Sequence, residues 1–416
     1  MYENLKKMSN LFVNIKRETI LFVLYSLFII SFPITFNLNS IVIITMCIFF
    51  FIDKKENIKN KINDALKNKI ILAFFFYFIV QCLGLIYSKD ITTGINVITR
   101  LISFVFLPTL ITTEKLSVKK INTLLNIQKY WISLFVLCIV FTQVYVEGRL
   151  LRTVVHFAFE SYGISQHYIG ILIIITLMFV LHQMIEKVQV FLNTIVFILL
   201  FGFLLLLSSR TSLLMFIFLA VLFFLTNFKK IRTVVKISVL IIFLGISSSL
   251  YFNSSELKRK VNVLIKTTDF DIGIITTKNS ITYTKNNFEH RILIWHCALN
   301  IIYNHPLIGI GTGDYRIGLN EEYEKINFLT AIDSNFDTHN QYLEDFLKAG
   351  VLGILSLLFL YGLIFKLSLK NKRFLFYCIF CIAFLSLFES YLERHHGTVF
   401  IAFFIPLFIK YETKLT

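Results

Sequence analysis

Several arginine and histidine residues have side chains suited to phosphate and hydroxyl chemistry, among them Arg210, Arg291 and His339. Arg210 stands between two apolar runs with almost no loop around it. A charged side chain at such a place anchors the chain at a membrane surface or has a functional partner. Guanidinium groups fit phosphate oxygens, and a neutral imidazole can accept a proton. These residue types predict a site for a lipid-linked phosphate with a histidine nearby.

The segment 334–353 carries His339 and has the pattern of a helix start. Thr338 with Gln341 three residues on fits a capping box, and Asp337 is a second candidate cap. One face of this helix would carry Leu343, Phe346, Gly350 and Gly353. His339 would then lie in the first turn, where the helix dipole favours the neutral imidazole. It could be a general base, or a helix-start residue that makes one hydrogen bond.

Other polar side chains near the ends of apolar runs could support such a site. Arg100 interrupts an apolar run, and Tyr342 closely follows His339. The remaining candidates lie in two predicted loops, Arg152 and His167 in the first and Glu393 and His395 in the second. His395 and His396 could bind a metal together, but no third ligand stands at a recognisable spacing, so no metal site is predicted.

The composition is that of a membrane protein. Of 416 residues, 56% are hydrophobic and only 16% are charged, whereas a soluble domain carries nearer a quarter charged residues. The formal net charge of +16 lies in short loops between apolar runs. Positive cytoplasmic loops explain this charge, so the sequence predicts contact with membrane lipids and no nucleic-acid partner. Cysteines inside apolar runs, including Cys378 and Cys381, predict neither a disulfide framework nor a redox pair.

The apolar runs predict an all-α polytopic membrane protein with about twelve transmembrane helices. The predicted spans are 18–36, 38–52, 70–87, 95–112, 130–147, 168–185, 190–207, 211–227, 236–252, 346–366, 374–391 and 397–411. This count places the loops rich in lysine and arginine on one side with both termini, and that side should be the cytoplasm. The sequence therefore divides into nine spans in residues 1–252, a long periplasmic loop with amphipathic helices at 253–345, and three spans in residues 346–416.

Within the long loop, residues 286–303 have the pattern of an amphipathic helix that ends at Asn304-His305-Pro306. Its predicted apolar face consists of Phe288, Ile292, Trp295, Leu299 and Ile302. Arg291 could be a solvated residue of this helix or part of the site. Gly309, Gly311 and Gly313 follow at alternate positions and lack the features of a nucleotide-binding loop. They predict either a flexible turn at the membrane surface or a role in substrate passage.

Four pieces of the sequence resemble the O-antigen ligase and O-antigen polymerase superfamily of bacterial membrane proteins. One is the run from His339 to Gly353. The others are Ser208-Ser209-Arg210-Thr211, the pair of Arg291 and Trp295, and His305-Pro306-Leu307-Ile308-Gly309-Ile310-Gly311. Twelve spans with one large loop before the tenth are also similar to the family's layout.

The resemblance implies a metal-independent glycosyltransferase without cofactors, with its active site at the periplasmic face of the inner membrane. The donor would be a glycan on undecaprenyl diphosphate, and the acceptor a hydroxyl of lipid A–core or another glycan. By matching positions, Arg210 and Arg291 would hold the diphosphate and His339 would assist the acceptor hydroxyl. Since diphosphate leaves without protonation, Glu344 and Asp345 are expected on the helix surface or in a supporting role.

Other functions stay open at the level of the sequence. A polysaccharide polymerase or a protein O-oligosaccharyltransferase of the same superfamily would need the same diphosphate clamp. A transporter or flippase of lipid-linked sugars is a more remote alternative, because transporters place their binding residues nearer the middle of the membrane.

Overall fold

The computed structural model of the chain describes residues 2–148, 166–207, 210–228, 268–278, 286–369 and 373–413. These residues form helices and turns with no β-strand among them, which confirms the all-α class for this part of the chain. The first helices are α1 (Tyr2–Ser31), α2 (Phe36–Phe51), α3 (Lys55–Lys67), α4 (Lys69–Ile86), α5 (Ile91–Leu101), α6 (Ser103–Thr113), α7 (Val118–Phe141), α8 (Gln166–Ile185), α9 (Val190–Leu206) and α10 (Arg210–Thr226). The later helices are α11 (Ile272–Thr277), α12 (Asn287–Asn304), α13 (Tyr315–Lys325), α14 (Leu329–Asp333), α15 (Gln341–Ser368), α16 (Arg373–Leu385) and α17 (His395–Thr413).

Among the described residues, five helical segments are long and apolar enough to cross a membrane. They are Lys69–Ile86, Ile91–Thr113, Val118–Val146, Tyr168–Ile185 and Gln341–Ser368. A sixth would be the pair of α2 and α3, which is bent by 113°. Every predicted span coincides with a helix except 236–252, which lies outside the described residues. The count of twelve is nevertheless not confirmed, because several of these helices are short, such as α16 with 13 residues.

Charged side chains from several helices meet at one end of the bundle. Lys61 of α3 lies 2.6 Å from the carboxylate of Asp53 and 2.7 Å from that of Glu114, which follows α6. Arg17 pairs with Glu114 and donates hydrogen bonds to two carbonyls at the end of α2. Since the last carbonyls of a helix lack partners within it, Arg17 stabilises the point where the chain bends from α2 into α3.

Helix α15 packs closely against α4 and is broken in its first third. Ala349 and Gly350 leave the helical conformation, and Gly350 has a φ of +60°. Two carbonyls near the break accept hydrogen bonds from the backbone N–H groups of Ile310 (2.8 Å) and Gly311 (3.1 Å). The segment between α12 and α13 therefore satisfies polar backbone groups that a broken helix would otherwise leave unpaired in an apolar bundle.

The two backbones meet closely because glycines lie at the crossing. A Cβ atom on Gly350 would overlap the carbonyl of Leu307, and one on Gly309 would overlap the carbonyl of Leu347. Gly309 also has a positive φ, of +69°. The glycine-rich segment is thus a fixed backbone contact, not the flexible turn that was one prediction from the sequence.

Helix α16 ends at Leu385, earlier than the predicted end of the span 374–391. The backbone N–H of Gln341 donates to the carbonyl of Ser386 (2.8 Å), and its side-chain oxygen accepts from the N–H of Leu392 (2.7 Å). The start of α15 therefore holds residues 386–394 as an irregular segment with one turn of 3-10 helix at Tyr391–Glu393. Hydropathy alone extends the span to residue 391.

Candidate functional site

The segment before α15 places His339 outside the helix. Helix α15 begins at Gln341, and the side chain of Asn340 caps it by accepting two N–H groups of the first turn. The predicted capping box of Thr338 and Gln341 is therefore wrong. The N–H of Thr338 instead donates to the carboxylate of Glu344 (3.2 Å).

His339 has a φ of +45°, in the left-handed region that few non-glycine residues adopt. Its N–H donates to Asp337 Oδ1 (2.9 Å), which stabilises this local turn. Asp337, the second predicted helix cap, therefore orients the histidine and does not cap the helix. Such strained backbone persists only where the surrounding structure holds it.

The imidazole of His339 lies beside two carboxylates. Its Nδ1 atom is 3.4 Å from Asp337 Oδ1 and 3.5 Å from Glu389 Oε2. Burial lowers the pKa of His339, but Glu389 and Asp337 outweigh burial and raise this pKa above its ordinary value. The prediction that the helix dipole favours the neutral imidazole is therefore wrong, because His339 precedes the helix and lies beside carboxylates. With Nδ1 facing them, the neutral ring keeps its proton on Nδ1 and presents Nε2 as the proton acceptor.

Helix α12 confirms the predicted helix 286–303, and Asn286 and Glu289 form a capping box at its start. The predicted apolar face is confirmed in part, because Ile302 is buried and Ile292 and Trp295 pack against the core. Phe288 and Leu299, in contrast, are exposed. The buried residues are Glu289, Leu293, Ile294, Cys297, Ala298, Ile301 and Ile302. Apolar residues occur on more than one side of this helix, so only its packing against α13 and α15 decides which side is buried.

Arg291 and Trp295 of α12 hold the segment that carries His339. Arg291 Nη1 donates to the carbonyl oxygens of His339 (3.3 Å) and Phe388 (2.6 Å). Trp295 Nε1 donates to the carbonyl oxygen of Thr338 (3.0 Å). The structure therefore brings together Arg291 and His339, which lie 48 residues apart in the sequence.

The positive charge of Arg291 is half-buried and has no carboxylate within ion-pair distance in the described part of the chain. Burial lowers the pKa of Arg291, although the fields of Glu389 and Asp337 oppose this effect. An anionic ligand beside Arg291 would supply the missing counter-charge, and a planar guanidinium suits phosphate oxygens in particular.

Glu389 and Ser390 were not predicted as site residues. Both lie inside the predicted span 374–391 but fall in the irregular segment after α16. Ser390 Oγ donates to Asp337 Oδ1 (3.2 Å), so this segment supplies one of the carboxylates beside the histidine and contacts the other. Glu389 could have been found, because a charged side chain inside a predicted membrane span usually has a function or a partner. The same reasoning had selected Arg100.

Glu393 is the centre of a buried ionic network. Its carboxylate pairs with Lys348 of α15, accepts a hydrogen bond from the Tyr315 hydroxyl (2.9 Å), and lies 3.5 Å from Arg100 Nη2. Burial raises the pKa of Glu393, but Lys348 and Arg100 outweigh burial and hold this pKa below its ordinary value. The structure thus brings together the predicted residues Arg100 and Glu393.

Arg316 of α13 connects this network with the histidine, and it was not predicted from the sequence. Its Nε donates to the Tyr315 hydroxyl (3.1 Å), and its Nη1 donates to the carbonyl of Asn335 (2.6 Å). Its Nη2 lies 3.5 Å from Asp337 Oδ2. Arg316 therefore fixes the far side of the carboxylate that contacts His339.

Glu344 and Asp345 are fully buried. Of the two predictions for them, a place on the helix surface is therefore wrong, and a supporting role stays a prediction. Asp345 accepts hydrogen bonds from Tyr77 (2.9 Å), Gln81 (3.1 Å) and Gln341 (3.1 Å). The first turns of α15 are enclosed by α4 on one side and by residues 386–394 on the other. These carboxylates therefore support the start of α15 from within the bundle.

The structure describes no side-chain position for three predicted residues, Arg210, Arg152 and His167. Arg210 begins α10, and the two residues after it line a small cavity together with Phe388 and Glu389. The start of α10 therefore lies beside the segment that contacts Arg291 and His339.

Two predicted supporting residues make other contacts. The hydroxyl of Tyr342 donates to the carbonyl of Ala383 (2.8 Å) and so ties α15 to α16. His395 Nε2 lies 3.3 Å from Asn39 Oδ1, which ties α17 to α2. Among the described side chains, no group of three His, Cys, Asp or Glu residues is placed to hold a metal ion.

The described chain is a helical membrane protein with a polar site at the start of a broken helix. Residues 195–358 match the family model described as O-antigen ligase. The match confirms the resemblance to the O-antigen ligase and polymerase superfamily, which points to a membrane glycosyltransferase class and to lipid-linked glycans as substrates. Arg210, Arg291 and His339 lie within the matched residues, whereas Glu389 and Glu393 lie beyond them. No curated protein matches the chain.

Proposed function

We propose that the chain transfers a glycan from undecaprenyl diphosphate to a hydroxyl of lipid A–core or a similar acceptor. The observation that carries the proposal is the contact between Arg291, which lacks an ion-pair partner among the described residues, and the segment that holds His339. The match of residues 195–358 to the O-antigen ligase family supports the type of reaction. The site faces the periplasm in this proposal, and the lysine-rich end of the bundle faces the cytoplasm with both termini.

On the acceptor side, Nε2 of neutral His339 takes the proton of the attacking hydroxyl. The hydroxyl oxygen forms a bond to the anomeric carbon, while the bond between that carbon and the diphosphate oxygen breaks. The imidazolium that forms is stabilised by Asp337 and Glu389, which face Nδ1. A single displacement of this kind inverts the configuration of the anomeric carbon.

On the donor side, the electron pair of the broken bond stays on the diphosphate, which leaves with its negative charge. Arg291 and Arg210 neutralise that charge as it develops. Arg291 is oriented for this role because Nη1 is fixed by two carbonyls, which sets the plane of the guanidinium. The proximity of the residues after Arg210 to Phe388 supports its part in the clamp.

The role of His339 is tested with purified full-length protein, a lipid diphosphate-linked glycan and an acceptor. We expect His339→Ala to lower kcat about 10²- to 10⁴-fold, the usual contribution of a general base. His296→Ala on α12 is the matched control, because His296 contacts Asn300 on its own helix. Full transfer by His339→Ala would refute the assignment.

The two arginines are tested in the same assay. Arg210→Ala and Arg291→Ala should each slow transfer about 10²- to 10³-fold, because each removes a donor that stabilises the leaving charge. Arg291→Lys keeps the charge but loses the planar fork, so most of the loss should remain. Wild-type rates for either alanine variant would exclude that residue from the clamp.

Ligation and polymerisation are separated by the product that accumulates in a deletion strain. A lost ligase leaves long glycan chains on the carrier lipid, whereas a lost polymerase leaves acceptors capped with a single repeat. We expect the first result, because the matched family is described as O-antigen ligase.

A further inference from the structure

A second cavity lies at the lysine-rich end of the bundle, between α2, α4 and α6 and under α3. Its volume is ≈160 Å³, and it is lined by Cys47, Phe50, Phe51, Ile62, Ala65, Leu66, Phe75, Val105, Phe106, Thr109 and Leu110. The Thr109 hydroxyl donates to the carbonyl of Val105 (2.6 Å), so it does not make the cavity polar. An enclosed apolar cavity of about 150 Å³ holds a benzene-sized molecule, so a cavity of this size has room for a segment of about six alkyl carbons.

The walls of this cavity are fixed by the polar contacts around the bend from α2 to α3. Arg17 donates to two carbonyls at the end of α2, and Lys61 pairs with Asp53 and Glu114. The Lys61 ammonium also lies 5.4 Å from the ring centroid of Phe50, which lines the cavity. The cavity is therefore a built feature of the fold.

The rim of the cavity is apolar and exposed. Phe51, Ile62 and Leu66 line the cavity and are each about half exposed (54%, 45% and 54%). Exposed apolar side chains of this size beside a transmembrane bundle contact lipid chains. The rim therefore connects the cavity with the acyl region of the membrane.

Helix α3 and the residues next to its two ends carry exposed positive charge. The exposed lysines are Lys54, Lys55, Lys59, Lys67 and Lys69, whereas the exposed carboxylates of α3 are those of Glu56 and Asp64. Within the described part of the chain, none of these five lysines lies within ion-pair distance of a carboxylate. Basic residues on an amphipathic helix at a membrane surface attract anionic headgroups.

We propose that the cavity and α3 form a binding site for a glycerophospholipid with an anionic headgroup. One acyl chain enters the cavity past Phe51 and Leu66, and the phosphate lies against the lysines of α3. The charge of α3 selects an anionic lipid over a zwitterionic one with the same chains. This site is separate from the donor site, because α3 packs against α4 and α6 at the end of the bundle away from His339.

Cys47 gives a direct measure of occupancy because it lines the cavity and is partly exposed. Cys82 and Cys138, which are also accessible, are replaced by Ala in the full-length protein. Alkylation of Cys47 by N-phenylmaleimide is then followed by mass spectrometry in detergent with added lipid. We expect phosphatidylglycerol to slow the reaction at least threefold and phosphatidylcholine with the same chains to have little effect.

The headgroup contact is tested with Lys55→Gln/Lys59→Gln/Lys67→Gln, which should raise the phosphatidylglycerol concentration for half-protection about tenfold. Lys119→Gln is the control, because Lys119 is an exposed lysine of α7 outside the cavity.

The cavity itself is tested with Ala65→Leu, which should abolish protection by filling the cavity. Ala65→Val serves if the larger residue prevents folding. No protection, equal protection by both lipids, or protection by undecaprenyl phosphate but not by phosphatidylglycerol would each overturn the proposal.

Discussion

His339 is held in its place by three kinds of contact that act on different atoms. Asp337 binds its N–H, Arg291 binds its carbonyl, and Asp337 and Glu389 lie beside Nδ1. The carboxylates make the imidazole a stronger base than a histidine in water, and they leave Nε2 for the acceptor. A base of this kind works only above its pKa, so the same contacts set the pH at which the site becomes active.

Replacing Asp337 by Asn should shift the pH dependence of transfer. The pKa of His339 should fall when one of the two carboxylates becomes neutral, so the acidic limb of the profile moves to lower pH. The maximal rate should also fall, because the imidazolium loses part of its stabilisation. The measurement is kcat/KM between about pH 5 and pH 9. A lower rate with an unmoved acidic limb would show that Asp337 does not act on the base.

The same substitution should change how stability depends on pH. Folding raises the pKa of His339, so its protonation stabilises the folded state fully below the unfolded pKa of about 6.5. This contribution is lost as the pH rises through the folded value. Asp337→Asn should therefore destabilise the protein more at about pH 5.5 than at about pH 8.5. Thermal unfolding of both proteins at the two pH values checks this, and an equal difference would contradict it.

At the scale of elements, hydropathy was sufficient to predict where most helices lie but not where they break or end. Three of residues 386–391 are apolar, which lets the hydropathy pattern continue past Leu385. The hydrogen bond from Gln341 to Ser386 holds the chain where α16 ends. The break at Gly350 is likewise set by a segment some forty residues earlier in the chain, which supplies the N–H groups of Ile310 and Gly311. Local patterns contain no information about such partners, so Glu389, although it lay inside a predicted span, could not be linked to His339.

The break in α15 should depend on its glycine. Gly350→Ala places a side chain against the Leu307 carbonyl at a φ of +60°, so it should destabilise the protein by at least about 1–3 kcal/mol. Gly362→Ala in the same helix is the control, because a Cβ there meets nothing within 4 Å. This control should be neutral or stabilising by up to about 1 kcal/mol. Thermal unfolding in one detergent compares them, and equal behaviour of the two variants would refute a required break.

At the scale of the whole molecule, the described chain has two polar ends joined by apolar helices. The site end gathers residues from α5, α12, α13, α15 and residues 386–394 around His339 and Glu393. The sequence placed Arg291 and His339 on one face through topology and family resemblance, and the structure joins them. The sequence could not place Arg316 or Lys348 at the site. Their partners Asp337 and Glu393 become neighbours only when these elements pack.

The pair of Lys348 and Glu393 should stabilise this assembly only as a pair. Glu393→Gln leaves buried Lys348 with no carboxylate within ion-pair distance among the described residues, which costs about 3–5 kcal/mol in similar cases. Lys348→Met should cost less, because Glu393 keeps Tyr315 and Arg100. In the double variant Lys348→Met/Glu393→Gln neither buried charge remains, so it should be more stable than Glu393→Gln alone.

The exposed pair of Lys325 and Glu322 is the control and should show no measurable coupling. Additive losses for Lys348 and Glu393 in thermal unfolding would contradict the ionic contact, because residues in direct contact couple by about 0.5–3 kcal/mol.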